Sequence, residues 1–78
     1  MEKSKKERMN DILTKLEDVK NSQEALIEKI ATIQIELLEL PDNKLEEAIA
    51  EAHAITTNNT EKIGIAIEKY QMAINILE

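Results

Sequence analysis

The chain has 78 residues, enough for one small domain that buries little core by itself, so oligomerisation or a partner is expected. It has no cysteine, Trp or Phe and only one histidine and one tyrosine, which excludes a disulfide framework, thiolate metal sites and most catalytic constellations. The net charge of -6 argues against a general nucleic-acid binder, and the 42% apolar content argues against a disordered acidic tail.

The N-terminal segment, residues 1–8, is basic, with four bases against two acids. No apolar core of a signal peptide follows it, and no later stretch approaches the ~18 apolar residues of a transmembrane helix. We therefore predict a basic, flexible terminus at 1–8, no membrane span and a cytoplasmic location, although export by a system that reads no signal peptide stays open. Richness in Lys, Ile, Asn and Glu is typical of bacterial or phage coding sequences.

A heptad pattern covers residues 9–40 and predicts one long helix without an internal Gly or Pro. Apolar residues recur in alternating steps of three and four, and Gln23 is the one polar member. A polar residue at such a position often fixes the register of a coiled coil. The members are Met9, Ile12, Leu16, Val19, Gln23, Leu26, Ile30, Ile33, Leu37 and Leu40.

Pro41 predicts the end of this helix, because proline disfavours helical geometry in the residue before it. Asn43 followed by Glu46 resembles a capping box, so we expect a turn at 41–43 and a second helix over 44–77. The same period continues there, with more alanine and with two polar members. This second column is Leu45, Ile49, Ala52, Thr56, Asn59, Ile63, Ala66, Tyr70, Ala73 and Leu77.

The run Thr56–Thr60 leaves two alternatives for the second helix. It contains five poor helix formers, which together disfavour the helix by roughly 3 kcal/mol relative to alanine. A break there would give three helices, near 5–40, 44–56 and 60–77, whereas a continuous helix would match the first in length. In either case the predicted fold class is all-α: an antiparallel, coiled-coil-like hairpin that assembles into a helical bundle.

The helices carry more apolar surface than one hairpin can bury. A two-helix contact needs about two apolar residues in seven, whereas nine of fifteen are apolar over 26–40 and ten of fifteen over 63–77. We therefore predict a homo-oligomer, most simply a two-fold dimer of hairpins, with a further protein partner also compatible. The residues predicted to carry the interaction are Leu26, Ile30, Ile33, Leu37, Ile63, Ile67, Tyr70 and Ile74.

No group of residues predicts catalysis. The single histidine, His53, has only Glu46, Glu47 and Glu51 near it in sequence, and neighbouring acids on one solvated helix do not make an acid–base pair. We predict no catalytic residue, no cofactor and no metal site, and therefore no enzyme.

The residues around the turn resemble those of the needle subunits of type III secretion systems. The matching residues are Leu40, Pro41, Asp42 and Asn43, followed by Ala50, Asn59, Glu61, Ile65, Lys69 and Ile76. The resemblance covers the second half of the chain and implies a helical hairpin that polymerises. The layout is also similar to small phage assembly factors and secretion co-chaperones.

Two functions follow from these patterns. The first is a small non-enzymatic interaction protein that acts by self-association or partner binding, such as a phage or bacterial assembly factor, a chaperone-like protein or an inhibitor. The alternative is a polymerising subunit of a secretion apparatus. A closed dimer saturates at one mass, whereas a subunit with head-to-tail contacts keeps growing.

Overall fold

The chain forms an extended antiparallel hairpin of two long helices, which confirms the predicted all-α class. The computed structural model describes residues 3–77. Helix α1 spans Lys5–Glu36 and helix α2 spans Asn43–Ile76, and the two pack along each other in a particle of 57 × 22 × 14 Å. We call the end of the hairpin where the connection joins α1 to α2 the turn end, and we call the opposite end the open end.

Helix α1 begins four residues earlier than predicted because Ser4 caps it. The Ser4 hydroxyl oxygen accepts a hydrogen bond from the Glu7 backbone N–H at 3.1 Å, and the Glu7 carboxylate also suits the positive end of the helix. Residues 5–8 of the predicted flexible terminus are therefore helical, and residues 1 and 2 lie outside the described residues. At its other end α1 stops at Glu36 rather than near residue 40.

The turn is longer than predicted, and the cap of α2 lies one residue earlier. Residues 37–40 form successive tight turns that reuse the last carbonyls of α1, as in the 3.1 Å bond from Leu40 N–H to Glu36 O. Asp42, not Asn43, is the N-cap: its backbone is extended and its side chain accepts from Leu45 N–H at 3.1 Å. Pro41 lies just before the cap, where its lack of an N–H costs no helical hydrogen bond.

Helix α2 is continuous through Thr56–Thr60, so the unbroken alternative is the one that the chain adopts. The Thr60 hydroxyl donates to the Thr56 carbonyl at 2.8 Å, and Thr56 is buried. Packing of this segment against α1 therefore outweighs its low helix propensity, as tertiary contacts often do.

The two helices meet in a register that differs from the predicted one. On α1, only every second member of the predicted column faces α2. At each of the remaining members up to Ile33, the next residue in the chain faces α2 instead. Thus Leu13, Lys20, Ile27 and Gln34 are buried or half-buried, whereas Ile12, Val19, Leu26, Ile33 and Leu40 are exposed. On α2, Leu45, Asn59, Ala66 and Leu77 are likewise exposed, and His53, Thr60, Ile67 and Ile74 lie against α1.

The resulting core is small. Among residues 3–77 the buried apolar side chains are Leu13, Ile30, Leu37 and Ile74. Polar groups lie beside them, including the half-buried Gln23 and the Thr57 hydroxyl, which is buried without a hydrogen-bond partner in this part of the chain. With only four buried apolar side chains over residues 3–77, the interhelical contact is a weak source of stability.

Candidate interaction surface

An exposed apolar stripe runs along α1 and ends in the turn that follows it. It consists of Ile12, Val19, Leu26, Ile33 and Leu40, which are spaced seven residues apart. Their exposed fractions range from 38% for Ile33 to 77% for Leu40. The stripe is about 42 Å long at the rise of an α-helix, so it extends over most of the hairpin.

The stripe shares one broad face of the hairpin with a column of mostly small residues on α2. Ile33 and Leu40 line the same hollow as Leu45 near the turn. Residues spaced by seven from Leu45 lie on one side of α2, and all of them after Leu45 have small or short side chains. This column is Leu45, Ala52, Asn59, Ala66 and Ala73. We call the stripe and this column together the apolar face.

The opposite face is charged, and we call it the polar face. One hollow on it is lined by Glu17, Glu68 and Gln71 together with Ile67 and Met72. A second hollow is lined by side chains from both helices, and two of its six residues are acids. These are Lys20, Thr60, Glu61, Gly64, Ile65 and Glu68. The two faces therefore differ in degree. The hollow on the apolar face has four apolar residues together with Glu36 and Asp42, whereas the stripe itself contains no charged member.

The predicted interaction residues are divided between the interior and the surface. Leu26 and Ile33 belong to the apolar stripe. The other six lie between the two helices of the hairpin. Of these, Ile30, Leu37 and Ile74 are buried and Ile63, Ile67 and Tyr70 are half-buried.

Four large apolar residues of the apolar face are not in the predicted interaction set: Ile12, Val19, Leu40 and Leu45. The seven-residue spacing of the stripe was the signal that could have found them. A column that is apolar at every member has to be covered by something, whether by the chain's own second helix or by another molecule.

The two ends of the hairpin differ in charge. Residues 36–51, around the turn, hold six acids and one base, a balance of -5, whereas residues 3–8 at the open end hold four bases and one acid, a balance of +3. At the open end Lys3 Nζ donates to the Asp11 carboxylate at 2.5 Å. This hydrogen bond raises the pKa of Lys3 and lowers the pKa of Asp11. Both groups are exposed, so the pair adds little stability and serves to keep both groups ionised.

The residues considered for chemistry do not converge. His53 is half-buried against α1, Glu46 is half-buried near the start of α2, and Glu47 and Glu51 are exposed. Over residues 3–77 no three His, Asp or Glu side chains are grouped so that they could hold a metal ion. Within the same residues neither helix has a stretch long and apolar enough to cross a bilayer.

Gly64 offers a test of whether the polar face is free. A Cβ added to Gly64 would have no neighbouring atom within 4 Å, and a glycine inside a helix disfavours it by about 1 kcal/mol relative to alanine. We expect Gly64→Ala to raise the melting temperature by about 4–8 °C, measured by circular dichroism.

The matched control is Ala50→Gly, at an exposed position of α2, which should lower the melting temperature by a similar amount. If Gly64→Ala were destabilising instead, something would have to pack against Gly64, and the polar face would be a contact surface.

Comparisons of this chain with protein-family models, with curated proteins and with solved structures find no match.

Proposed function

We propose that this chain is a non-enzymatic helical interaction protein that works by associating with copies of itself, in the manner of a small bacterial or phage assembly factor, chaperone-like protein or inhibitor. The observation that carries the proposal is the apolar stripe. Five large aliphatic side chains in register on one face are more than a monomeric surface ordinarily exposes in one patch.

The heptad pattern of α1 supports association, because it is the pattern of a helix with two neighbours. A helix in a bundle is apolar at about three positions in seven, whereas a helix in a simple pair needs about two. Two columns of α1 face α2, namely the residues spaced by seven that include Leu16 and those that include Leu13. The third column is the apolar stripe, and a second neighbour is what would cover it.

The free energy available from the stripe is sufficient for reversible association. Complete burial of such a side chain contributes about 1.5–3 kcal/mol, and roughly half of that remains to be gained at each of the five. Two copies would together gain roughly 8–15 kcal/mol, against an association penalty of about 4–15 kcal/mol. The gain and the penalty are of similar size, so we expect a weak, reversible complex that dissociates on dilution.

Light scattering across a dilution series tests the proposal. We expect one discrete oligomer at high concentration and the monomer mass of 8.9 kDa at low concentration. A chain that keeps the monomer mass at every concentration up to the millimolar range would contradict the proposal, because the apolar stripe would then stay exposed to water without driving association.

A second candidate function, a polymerising structural subunit, is favoured by the charge difference between the ends. The acidic turn end and the basic open end attract each other, which permits head-to-tail contacts. In that case the measured mass would keep rising with concentration instead of reaching a plateau.

A further inference from the structure

We propose that the occupant of the apolar face is the apolar face of a second copy of this chain, related by a two-fold axis that passes beside Leu26 and runs α1 antiparallel to α1 of the partner. This inference rests on the proposed function and specifies its surface, symmetry and register. It follows from three independent features of the face: the spacing of its residues, the size of the surface and the placement of charge.

The stripe is symmetric about Leu26. Val19 and Ile33 lie seven residues to either side of it, and Ile12 and Leu40 lie fourteen residues away. An antiparallel copy centred on Leu26 therefore places Val19 opposite the partner's Ile33. Ile12 similarly meets the partner's Leu40. Every apolar member of the stripe then has an apolar neighbour, as in an antiparallel coiled coil.

The column on α2 shares this centre. Leu26 comes fourteen residues before Leu40, and Asn59 comes fourteen residues after Leu45. Since Leu40 and Leu45 line one hollow, Leu26 and Asn59 both lie about 21 Å from the turn. The same axis thus places Asn59 beside the partner's Asn59. A side-chain amide both donates and accepts, so two of them can pair and fix the register.

Alanines flank Asn59 at seven residues on each side, as Ala52 and Ala66. In the proposed dimer Ala52 meets the partner's Ala66, and their small side chains let the two α2 helices approach closely. The large residues of the stripe thus pack on each other along one side of the interface, and small residues pack along the other side.

Charge on the margin selects the antiparallel arrangement. Lys15 and Glu36 are exposed, and each follows a member of the stripe by three residues, so both lie on its outer edge. Lys15 is eleven residues before Leu26 and Glu36 is ten after it, so the axis brings Lys15 close to the partner's Glu36, twice per dimer. These pairs contribute orientation more than affinity.

The other face-to-face dimer has both turns at the same end. It would bring together two segments that each carry a balance of -5, whereas the proposed dimer sets each beside the partner's open end, where residues 3–8 carry +3. The electrostatic preference is therefore for turns at opposite ends, and it weakens as salt screens exposed charge.

The surface has the size of a specific interface. The stripe is about 42 Å long and two packed helices present a face about 20 Å wide, which gives about 800 Å² from each chain. That area is the usual contribution of one partner to a stable complex. A smaller occupant, such as a single short helix, would leave part of the stripe in water.

Cross-linking tests the axis directly, because the chain has no cysteine and a single introduced thiol has no competitor. We expect Leu26→Cys to form a disulfide-linked dimer nearly completely on mild oxidation. The control, Ala25→Cys, lies on the side of α1 that faces away from α2 and from the apolar face, and it should cross-link at least about tenfold more slowly. Asn59→Cys is a second variant at the axis that leaves the stripe intact.

A charge exchange tests the register independently. At low salt we expect Lys15→Glu to weaken the dimer severalfold, because it places a carboxylate beside the partner's Glu36 at two places in the dimer. Adding Glu36→Lys to this variant should restore the affinity. A double variant that binds no more tightly than Lys15→Glu alone would overturn the antiparallel register.

The result separates this inference from the proposed function. If the wild-type chain is a discrete oligomer by light scattering but neither Leu26→Cys nor Asn59→Cys cross-links faster than Ala25→Cys, the arrangement is wrong and self-association stands. If the chain is a monomer at every concentration, the proposed function itself is wrong, and the arrangement falls with it.

Discussion

Replacing Leu26 with glutamate should lower the association constant of the dimer by at least about 100-fold. Leu26 is 43% exposed in the hairpin and lies at the middle of the apolar stripe, so the change removes one buried leucine from each chain and introduces two carboxylates close together. The lost burial is worth about 1.5–3 kcal/mol for the pair, the two buried carboxylates add a further penalty, and each 1.4 kcal/mol corresponds to a factor of ten. Sedimentation equilibrium of the variant and the wild type gives the two constants.

The control is Ala25→Glu, which makes the same change in charge at the neighbouring residue. Ala25 is exposed and lies on the side of α1 away from α2, so its substitution should change the association constant by less than about threefold. Equal losses in both variants would show that net charge rather than the stripe controls association. No loss in either would show that the stripe is not the contact surface.

Dissociation of the Leu26→Glu variant should also lower its helix content. The hairpin by itself has only the four buried apolar residues Leu13, Ile30, Leu37 and Ile74 within residues 3–77. Folding coupled to association makes the melting temperature depend on concentration. We therefore expect the wild-type melting temperature to rise with protein concentration, and that of Leu26→Glu to be lower and to rise much less over the same range.

The helices themselves were predictable from local chemistry. Uninterrupted helix formers and a period near 3.5 predict α1, and Pro41 predicts that it ends before residue 41, although α1 ends at Glu36, four residues earlier than expected. The cap was misplaced by one residue because Asp42 and Asn43 are both good N-caps, and only the backbone geometry distinguishes them. The continuity of α2 depends on packing and on the Thr60 hydroxyl bond, neither of which propensity reports.

The register between the helices was not predictable, because the heptad pattern shows which residues are apolar and not which neighbour covers them. The column of Leu26 is apolar throughout, whereas the column that the hairpin uses instead includes Lys20 and Gln34. If α1 is assumed to contact only α2, the more apolar column, that of Leu26, is assigned to this contact. The hairpin has the reverse arrangement, which is consistent with a second contact that needs the more apolar column.

The core substitution with the largest expected effect is Ile74→Ala. Ile74 is only 2% exposed and is the most completely buried large side chain of residues 3–77, so its truncation leaves a cavity between α1 and α2. Loss of an isoleucine at such a site lowers the free energy of unfolding by about 2–5 kcal/mol. For a chain of this size that corresponds to a fall in melting temperature of at least about 10 °C, measured by circular dichroism at one protein concentration.

Ile65→Ala makes the same chemical change in the same helix at a side chain that is 52% exposed and lines a hollow on the polar face. It should lower the free energy of unfolding by less than about 1 kcal/mol, since half of the side chain is already in water and alanine is the better helix former. If Ile65→Ala were as damaging as Ile74→Ala, α2 would have to present a different side to α1. The apolar face would then be misassigned as well, because both assignments rest on the same rotation of the helices.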